Sequence, residues 1–170
     1  MPKLKLRGMP VGGSMVNQGD IDPDLTIRNN LLIEAMEYWR TLQGDRRMPS
    51  HDDIDPMKVP RHLLPHLELV DVIPGPIRRL RWRLIGTHIT AAVNRDATGQ
   101  YFDEYYFGDV FTAISGPFDW VIENRQPLRW SGTSGFAGMN WQSFESVLFP
   151  LSRGGETVEM IMGAVDYELR

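Results

Sequence analysis

Residues 79–104 read RLRWRLIGTHITAAVNRDATGQYFDE, and this stretch carries the pattern on which the fold prediction depends. In its first part Leu80, Trp82 and Leu84 alternate with arginines, which predicts a strand with one apolar and one solvated face. The strand is interrupted at Gly86, and short helical segments and a run of aromatic residues follow it. A strand that leads through a glycine into short helices predicts a small concave sheet with a ligand held against its face.

Composition limits the classes of function. The chain has 170 residues, which is the size of one domain. Its formal net charge of -4 argues against nucleic-acid binding, which usually requires a positively charged surface. It has no cysteine, which excludes disulfides, thiolate zinc sites, iron–sulfur clusters and flavin–cysteinyl adducts. The basic N-terminus lacks the apolar core of a signal peptide, and no run approaches the ~18 apolar residues of a membrane span. The expectation is therefore a cytoplasmic protein without membrane contact.

The chain is expected to begin with a flexible segment over residues 1–24, followed by a single domain over residues 25–170. Apolar residues at three- and four-residue steps predict an amphipathic helix over residues 26–42, with Thr26 as its N-cap and Gly44 ending it. This leading helix needs a surface to cover. That surface is either the back of its own sheet or the same helix of a second copy.

Six further elements are predicted downstream. Two strands, Leu67–Ile73 and Arg79–Ile85, form a hairpin across a Pro-Gly-Pro turn. A longer helix over residues 109–124 is expected to bend at its internal Gly-Pro pair. Strands starting at Leu128, Trp141 and Val158 close the chain as a meander.

Two polar clusters have the residue types of a metal site. Asp52, Asp53 and Asp55 lack the glycine and distal glutamate of a calcium loop, so helix capping is the favoured interpretation. His62 and His66 are four residues apart, but a proline lies between them, which favours a surface or capping pair over a metal site. No metal ligands and no catalytic residues are predicted.

Three segments together resemble a known family: YWRTLQGDRRMPSHDDIDP at residues 38–56, VPRHLLPHLELVDV at residues 59–72, and RWRLIGTHIT with NRDATGQYFDE within residues 81–104. They are similar to bacterial single-domain PAS proteins, and the resemblance covers about residues 30–167. The family usually has Gly-Arg-Asp where this chain has Asn94-Arg95-Asp96, and Asn also adopts left-handed turns.

The resemblance implies an α+β PAS fold: a five-stranded antiparallel sheet with helices inserted between strands 2 and 3, preceded by the leading helix. PAS domains typically detect a small molecule, a redox state or light. The resemblance therefore implies a sensory module. Because the chain contains no kinase, cyclase or hydrolase signature, we expect it to act in trans on an unknown signalling partner. The amphipathic leading helix leads us to expect a homodimer formed through this N-terminal helix or a sheet face. No cofactor is identified, and the long helix contains no histidine to serve as a haem ligand.

The candidates for a ligand pocket are Trp82, Arg83, Thr87, His88, Asp96, Phe111, Trp120, Met160 and Met162. Within this pool, Arg83 is expected to pair with Asp96 or with an acidic ligand group. A wider set of wall residues adds Leu84, Ile89, Ile114, Trp130 and Phe144.

Two other functions stay open. One is a ligand-free protein-interaction adaptor with a filled core, and pocket volume separates it from a sensor. The other is an enzyme that uses a carboxylate as acid and base, for which the acidic and tyrosine residues between Asp96 and Tyr105 are the candidates. Such an enzyme would need a carboxylate that titrates near neutrality in an apolar pocket.

Overall fold

The computed structural model describes residues 19–169. The strands are β1 (Asp20–Asp22), β2 (Leu67–Ile73), β3 (Arg79–Ile85), β4 (Leu128–Ser134), β5 (Met139–Leu151) and β6 (Met160–Leu169). The helices are α1 (Asn30–Gln43), α2 (Thr87–Val93), α3 (Phe102–Tyr105) and α4 (Gly108–Asn124), with single 3-10 turns at His51–Asp53, Leu64–His66 and Gly135–Ala137.

All six strands form one antiparallel sheet in the order β1-β4-β5-β6-β2-β3. Helices α2, α3 and α4 lie between β3 and β4 in the chain, as predicted, and they cover one face of the sheet. Helix α1 covers the other face, where it contacts β5 and β6. The α+β class, the antiparallel sheet and the position of the inserted helices are thus confirmed.

The sheet separates two apolar clusters because successive strand residues point to opposite faces. In β6, Met160, Met162 and Ala164 belong to the cluster under α1, whereas Ile161 and Val165 belong to the cluster under α2–α4. We call these the back cluster and the front cluster. Both methionines are therefore core residues of the back cluster.

Helix α1 begins later than predicted. Its N-cap is Asn29, whose side chain accepts a hydrogen bond from the Leu31 N–H, whereas the Thr26 N–H donates to the carboxylate of Asp22. Thr26 is therefore a loop residue, and the helix spans Asn30–Gln43 instead of residues 26–42. It ends at Gly44, as predicted, and its apolar side packs on its own sheet.

The sheet has six strands and not the predicted five. The additional strand is β1, which pairs with β4 through the register Asp20↔Ser131. The sequence Asp-Ile-Asp is too short and too polar to show a strand pattern, and it lies within the segment expected to be flexible. Residues 1–18 of that segment lie outside the described residues.

The β2–β3 hairpin has the predicted bounds but contains a bulge. Leu69 pairs with Leu84 and Val70 pairs with Trp82, so Arg83 is the extra residue on β3. The bulge reverses the alternation beyond Trp82, and Leu84 is 47 % exposed while Ile85 takes the inward position. The predicted common face of Leu80, Trp82 and Leu84 is wrong at Leu84 for this reason.

Candidate functional site

A cavity of about 80 Å³ lies between the front face of the sheet and helices α2–α4. Its floor includes Trp82 of β3, Trp130 of β4 and Tyr167 of β6, and its roof includes Phe102 and Tyr106. The ring of Trp82 stacks on that of Phe102 with 4.0 Å between centroids. Aromatic and aliphatic side chains thus form most of the wall, which Arg95 also lines, and the rigid rings help to fix the shape of the cavity.

Glu68 places a carboxyl group in this cavity. It stands on β2 next to Gly163 of β6, and a side chain at Gly163 would collide with it, since a Cβ there would lie 2.8 Å from Glu68 Oε1. Burial raises the pKa of Glu68 from 4.5 to about 7, and a hydrogen bond from the Trp82 side chain partly opposes that rise. The group therefore changes charge near neutral pH.

Two tyrosines share the cavity with Glu68. Burial raises the pKa of Tyr106 and of Tyr167, and the charge of Glu68 raises both further. Both phenols keep their protons at neutral pH and can donate hydrogen bonds. One titratable carboxyl group and two phenols in an aromatic enclosure can recognise a small polar molecule or take part in proton transfer.

Of the nine predicted pocket residues, Trp82 lines the cavity, and eight lie elsewhere. Arg83, Thr87 and Asp96 are exposed. Arg83 Nη1 lies 3.3 Å from a carboxylate oxygen of Asp71, not from Asp96, because the bulge turns this arginine toward β2. Asp96 instead accepts hydrogen bonds from the backbone and hydroxyl of Thr98.

The other predicted residues pack around the core. Phe111 and Trp120 of α4 are partly buried against the front cluster, and Met160 and Met162 face the back cluster. His88 lies beside the cavity, with its ring 5.8 Å from that of the wall residue Tyr167. Four residues of the wider set do line the cavity: Ile89, Ile114, Trp130 and Phe144.

The acidic cluster considered for catalysis is engaged in surface contacts. Arg79 donates two 2.8 Å hydrogen bonds to Asp103 and one of 2.9 Å to Glu104, and its guanidinium lies over the ring of Tyr101. Hydrogen bonds from Arg79 hold the pKa of Asp103 below its ordinary value. Asp103 is therefore an ionised ion-pair partner of Arg79, and Glu104 contacts the same guanidinium.

Sequence reasoning missed Glu68, Tyr106 and Tyr167. One signal for Glu68 was present, because it stands two residues before Val70 and thus shares the buried face of an apolar strand. A carboxylate on such a face is unusual unless it is paired or functional. No local pattern marked the tyrosines.

Comparison with known proteins agrees with this architecture. The family model described as PAS domain matches residues 27–166. The chain belongs to the PAS domain family. No curated protein and no solved structure matches it. The resemblance to PAS domains inferred from the sequence is thus confirmed, and membership indicates a sensory or signalling module in general terms.

The PAS match extends from the loop before α1 into β6, so it includes both faces of the sheet and all described cavity residues except Tyr167. None of the helices in residues 19–169 has the length and apolar character needed to cross a membrane.

Proposed function

We propose that this PAS domain senses a small polar ligand held in the cavity and transmits the change to a partner chain. The observation that carries the proposal is Glu68, a carboxyl group in an aromatic enclosure with a pKa of about 7. A buried carboxylate is costly unless something donates hydrogen bonds to it. The Trp82 side chain donates one such bond, and a ligand with N–H donors or positive charge would supply further ones.

The size of the cavity restricts the ligand. Its volume of about 80 Å³ accommodates several waters or a molecule of a few heavy atoms. The ligand class we infer is therefore a small amine, amidine or amide, with apolar atoms against the aromatic walls and its donor at Glu68.

Native mass spectrometry of protein purified without denaturation tests this proposal. Bound mass should appear on the wild-type chain and be lost in Glu68→Gln, which keeps the shape of the side chain but removes its charge. Glu156→Gln is the matched control, since Glu156 is exposed. Added imidazole, guanidinium or acetamide should raise the melting temperature of the wild type and of the control but not that of Glu68→Gln. Benzene, which has no N–H donor, should change the melting temperature of all three proteins equally.

The second candidate is the ligand-free adaptor. The observation that favours it is the cavity volume, which lies below the roughly 300–1,000 Å³ of typical ligand pockets. Absence of bound mass in all variants, together with no response to the donor probes, would favour the adaptor over the sensor.

A proton-transfer enzyme is the third candidate, and the pKa of Glu68 favours it as well. A general acid or base works best when its pKa lies near the operating pH. Deuterium exchange at the acidic C–H positions of small carbonyl compounds, followed by NMR in heavy water, tests it. Exchange that is catalysed by the wild type and lost in Glu68→Gln would support an enzyme.

For transmission we propose a homodimer that uses the outer side of α1 or the sheet near β3. The apolar side of α1 is occupied within the chain, so contact between copies would use its outward side, where Ile33 is 38 % exposed. On β3, Leu84 is the exposed apolar residue.

Light scattering tests this dimer. It should give the mass of two chains for the wild type and for the loop control Met57→Glu, and the mass of one chain for Ile33→Glu or Leu84→Glu. A wild-type monomer would contradict the proposal.

A further inference from the structure

Three residues from distant parts of the chain meet at one corner of the sheet. His66 ends the 3-10 turn before β2, His88 is in the first turn of α2, and Asp166 lies near the end of β6. One nitrogen of each imidazole and one carboxylate oxygen all lie within 4.8 Å of one another. We call this group the His-His-Asp cluster. It lies outside the cavity and is not used by the proposed function.

The separations within the cluster suit a metal ion. Asp166 Oδ1 is 3.1 Å from His88 Nε2 and 3.5 Å from His66 Nδ1. Ligand atoms bound at about 2.0–2.1 Å to a tetrahedral Zn²⁺ ion are about 3.4 Å apart. The three side chains would thus need only small rotations to point their donor atoms at one ion.

The carboxylate of Asp166 is already oriented by its surroundings. Its Oδ2 accepts a 2.6 Å hydrogen bond from Asn29 Nδ2, and the Tyr167 N–H lies 3.1 Å from its Oδ1 and 3.4 Å from His88 Nε2. Metal-binding side chains are commonly held by such outer hydrogen bonds. One oxygen of Asp166 is thus anchored, and the other faces the two imidazoles.

The histidines are also held in place. The Val165 carbonyl oxygen lies 3.0 Å from His66 Nδ1, a contact that metal binding through Nδ1 would replace, and the two imidazole rings are 4.0 Å apart at their centroids. Burial, followed by the nearby His66, lowers the pKa of His88, although Asp166 opposes that shift. A neutral imidazole has a lone pair available for a metal.

The cluster is accessible to an ion. The side chains of His66, His88 and Asp166 are 16 %, 31 % and 23 % exposed. This partial exposure leaves a route for entry and space for a fourth ligand from solvent. Structural zinc sites usually have four protein ligands, whereas sites with three keep an open position.

We propose that His66, His88 and Asp166 form a binding site for one divalent transition metal ion, with Zn²⁺ as the expected ion and one coordination position open to water. Two imidazoles and one carboxylate are donors that suit zinc and similar ions better than Mg²⁺ or Ca²⁺. Bound metal would connect β6, α2 and the turn before β2, and through Asn29 it would adjoin the N-terminus of α1.

Zn²⁺ titration of the full chain, in competition with a chromophoric chelator after removal of bound metal, tests the site. We expect one Zn²⁺ per chain, and His88→Gln or Asp166→Asn should weaken binding by at least about 100-fold. His62→Gln is the matched control, because His62 is an exposed histidine paired with Glu34, and it should bind like the wild type.

A measurement on the unaltered chain keeps the test valid if a variant fails to fold. Co²⁺ should give the visible absorption of a four-coordinate site, and Zn²⁺ should shift the ring signals of His66 and His88 in NMR spectra but not those of His62. No Zn²⁺ binding by the wild type, ring shifts confined to other histidines, or unchanged affinity in folded His88→Gln and Asp166→Asn would overturn the proposal.

Discussion

Glu68 brings a titratable group into the apolar interior of the sheet. Its side chain occupies the space left by Gly163, and its charged form is disfavoured because the cavity walls are mostly apolar. The protonated form therefore persists to higher pH in the folded chain than in the unfolded chain. This difference couples the stability of the domain to pH.

Replacement of Glu68 by Gln should remove that coupling. Unfolded Glu68 loses its proton near pH 4.5 and the folded group near pH 7, so between these values the folded state binds more protons and rising pH favours unfolding. Relative to Glu68→Gln, the unfolding free energy of wild type should fall by about 3 kcal/mol across this range and then stay level. Urea unfolding at a series of pH values measures this, with Glu156→Gln following wild type. A constant difference at all pH values would contradict the buried titration.

Gly86 permits a close approach of two segments. A Cβ atom at this position would lie 2.3 Å from the carbonyl oxygen of Pro65, and the obstacle is backbone that cannot rotate away. The glycine that ends β3 is thus required for packing against the turn that contains His66. Its φ of -66° lies in a region open to any residue, so the requirement is steric.

Gly86→Ala should therefore lower the unfolding free energy by about 2 kcal/mol, the cost of overpacking. Gly154→Ala is the control, because nothing lies within 4 Å of a Cβ there, and it should be neutral or stabilise by about 0.5 kcal/mol. Urea midpoints for both variants test the contrast. Equal urea midpoints for Gly86→Ala and Gly154→Ala would contradict this prediction, because they would mean that the turn before β2 moves away from β3 without loss of unfolding free energy.

Among the elements, α1 depends on a single residue at its start. Asn29 caps the helix through the Leu31 N–H and also donates to Asp166, and its own N–H donates to Glu145. One side chain thus connects the helix to β6, and its backbone connects the helix to β5. This explains how the helix is held on the back of the sheet.

Asn29→Ala should lower the unfolding free energy by about 1–2 kcal/mol through loss of the cap and of the contact with Asp166. The neighbouring Asn30→Ala is the control, and because Asn30 is exposed in the first helical turn, its change should stay within about 0.5 kcal/mol. Denaturant unfolding gives the free energies, and hydrogen exchange of the α1 amides locates the loss. Similar effects of the two variants would contradict the cap.

At the scale of the whole molecule, one sheet serves as the common wall of two apolar clusters. Leu32 in the back cluster and Leu128 in the front cluster are both 0 % exposed. If the sheet unfolds, the residues of both clusters become exposed to solvent together. The domain should therefore unfold as a unit.

Leu32→Ala and Leu128→Ala should each lower the unfolding free energy by about 3 kcal/mol, the cost of a buried cavity, without changing the m-value. Tryptophan fluorescence and far-UV circular dichroism should report the same single transition for both variants. If Leu32→Ala separates an early loss of helix from a later transition, α1 is an independently unfolding element and the two clusters are not coupled.

Part of this architecture was predictable because its causes are local. The alternation in Leu67–Ile73 and Arg79–Ile85 predicted both strands with the observed bounds, and Gly44 was correctly expected to end the leading helix. Strand period and helix termination depend on neighbouring residues, which the sequence displays directly.

Other features were beyond such patterns. The bulge at Arg83 arises from pairing with β2, and it alone turned Leu84 outward and Ile85 inward. Strand β1 is a second example, because Asp-Ile-Asp shows no strand pattern of its own. It is extended because it pairs with the edge of β4.

The sequence by itself determined the family, the order of strands and helices from α1 onward, and the presence of a front layer of aromatic helices, because periodicity and turn residues act over short distances. Only the tertiary structure decided that Glu68 titrates in the cavity and that His66, His88 and Asp166 meet. Those residues are up to a hundred positions apart. Charge and ligand geometry depend on burial and on distances across the sheet, which no local pattern in the chain records.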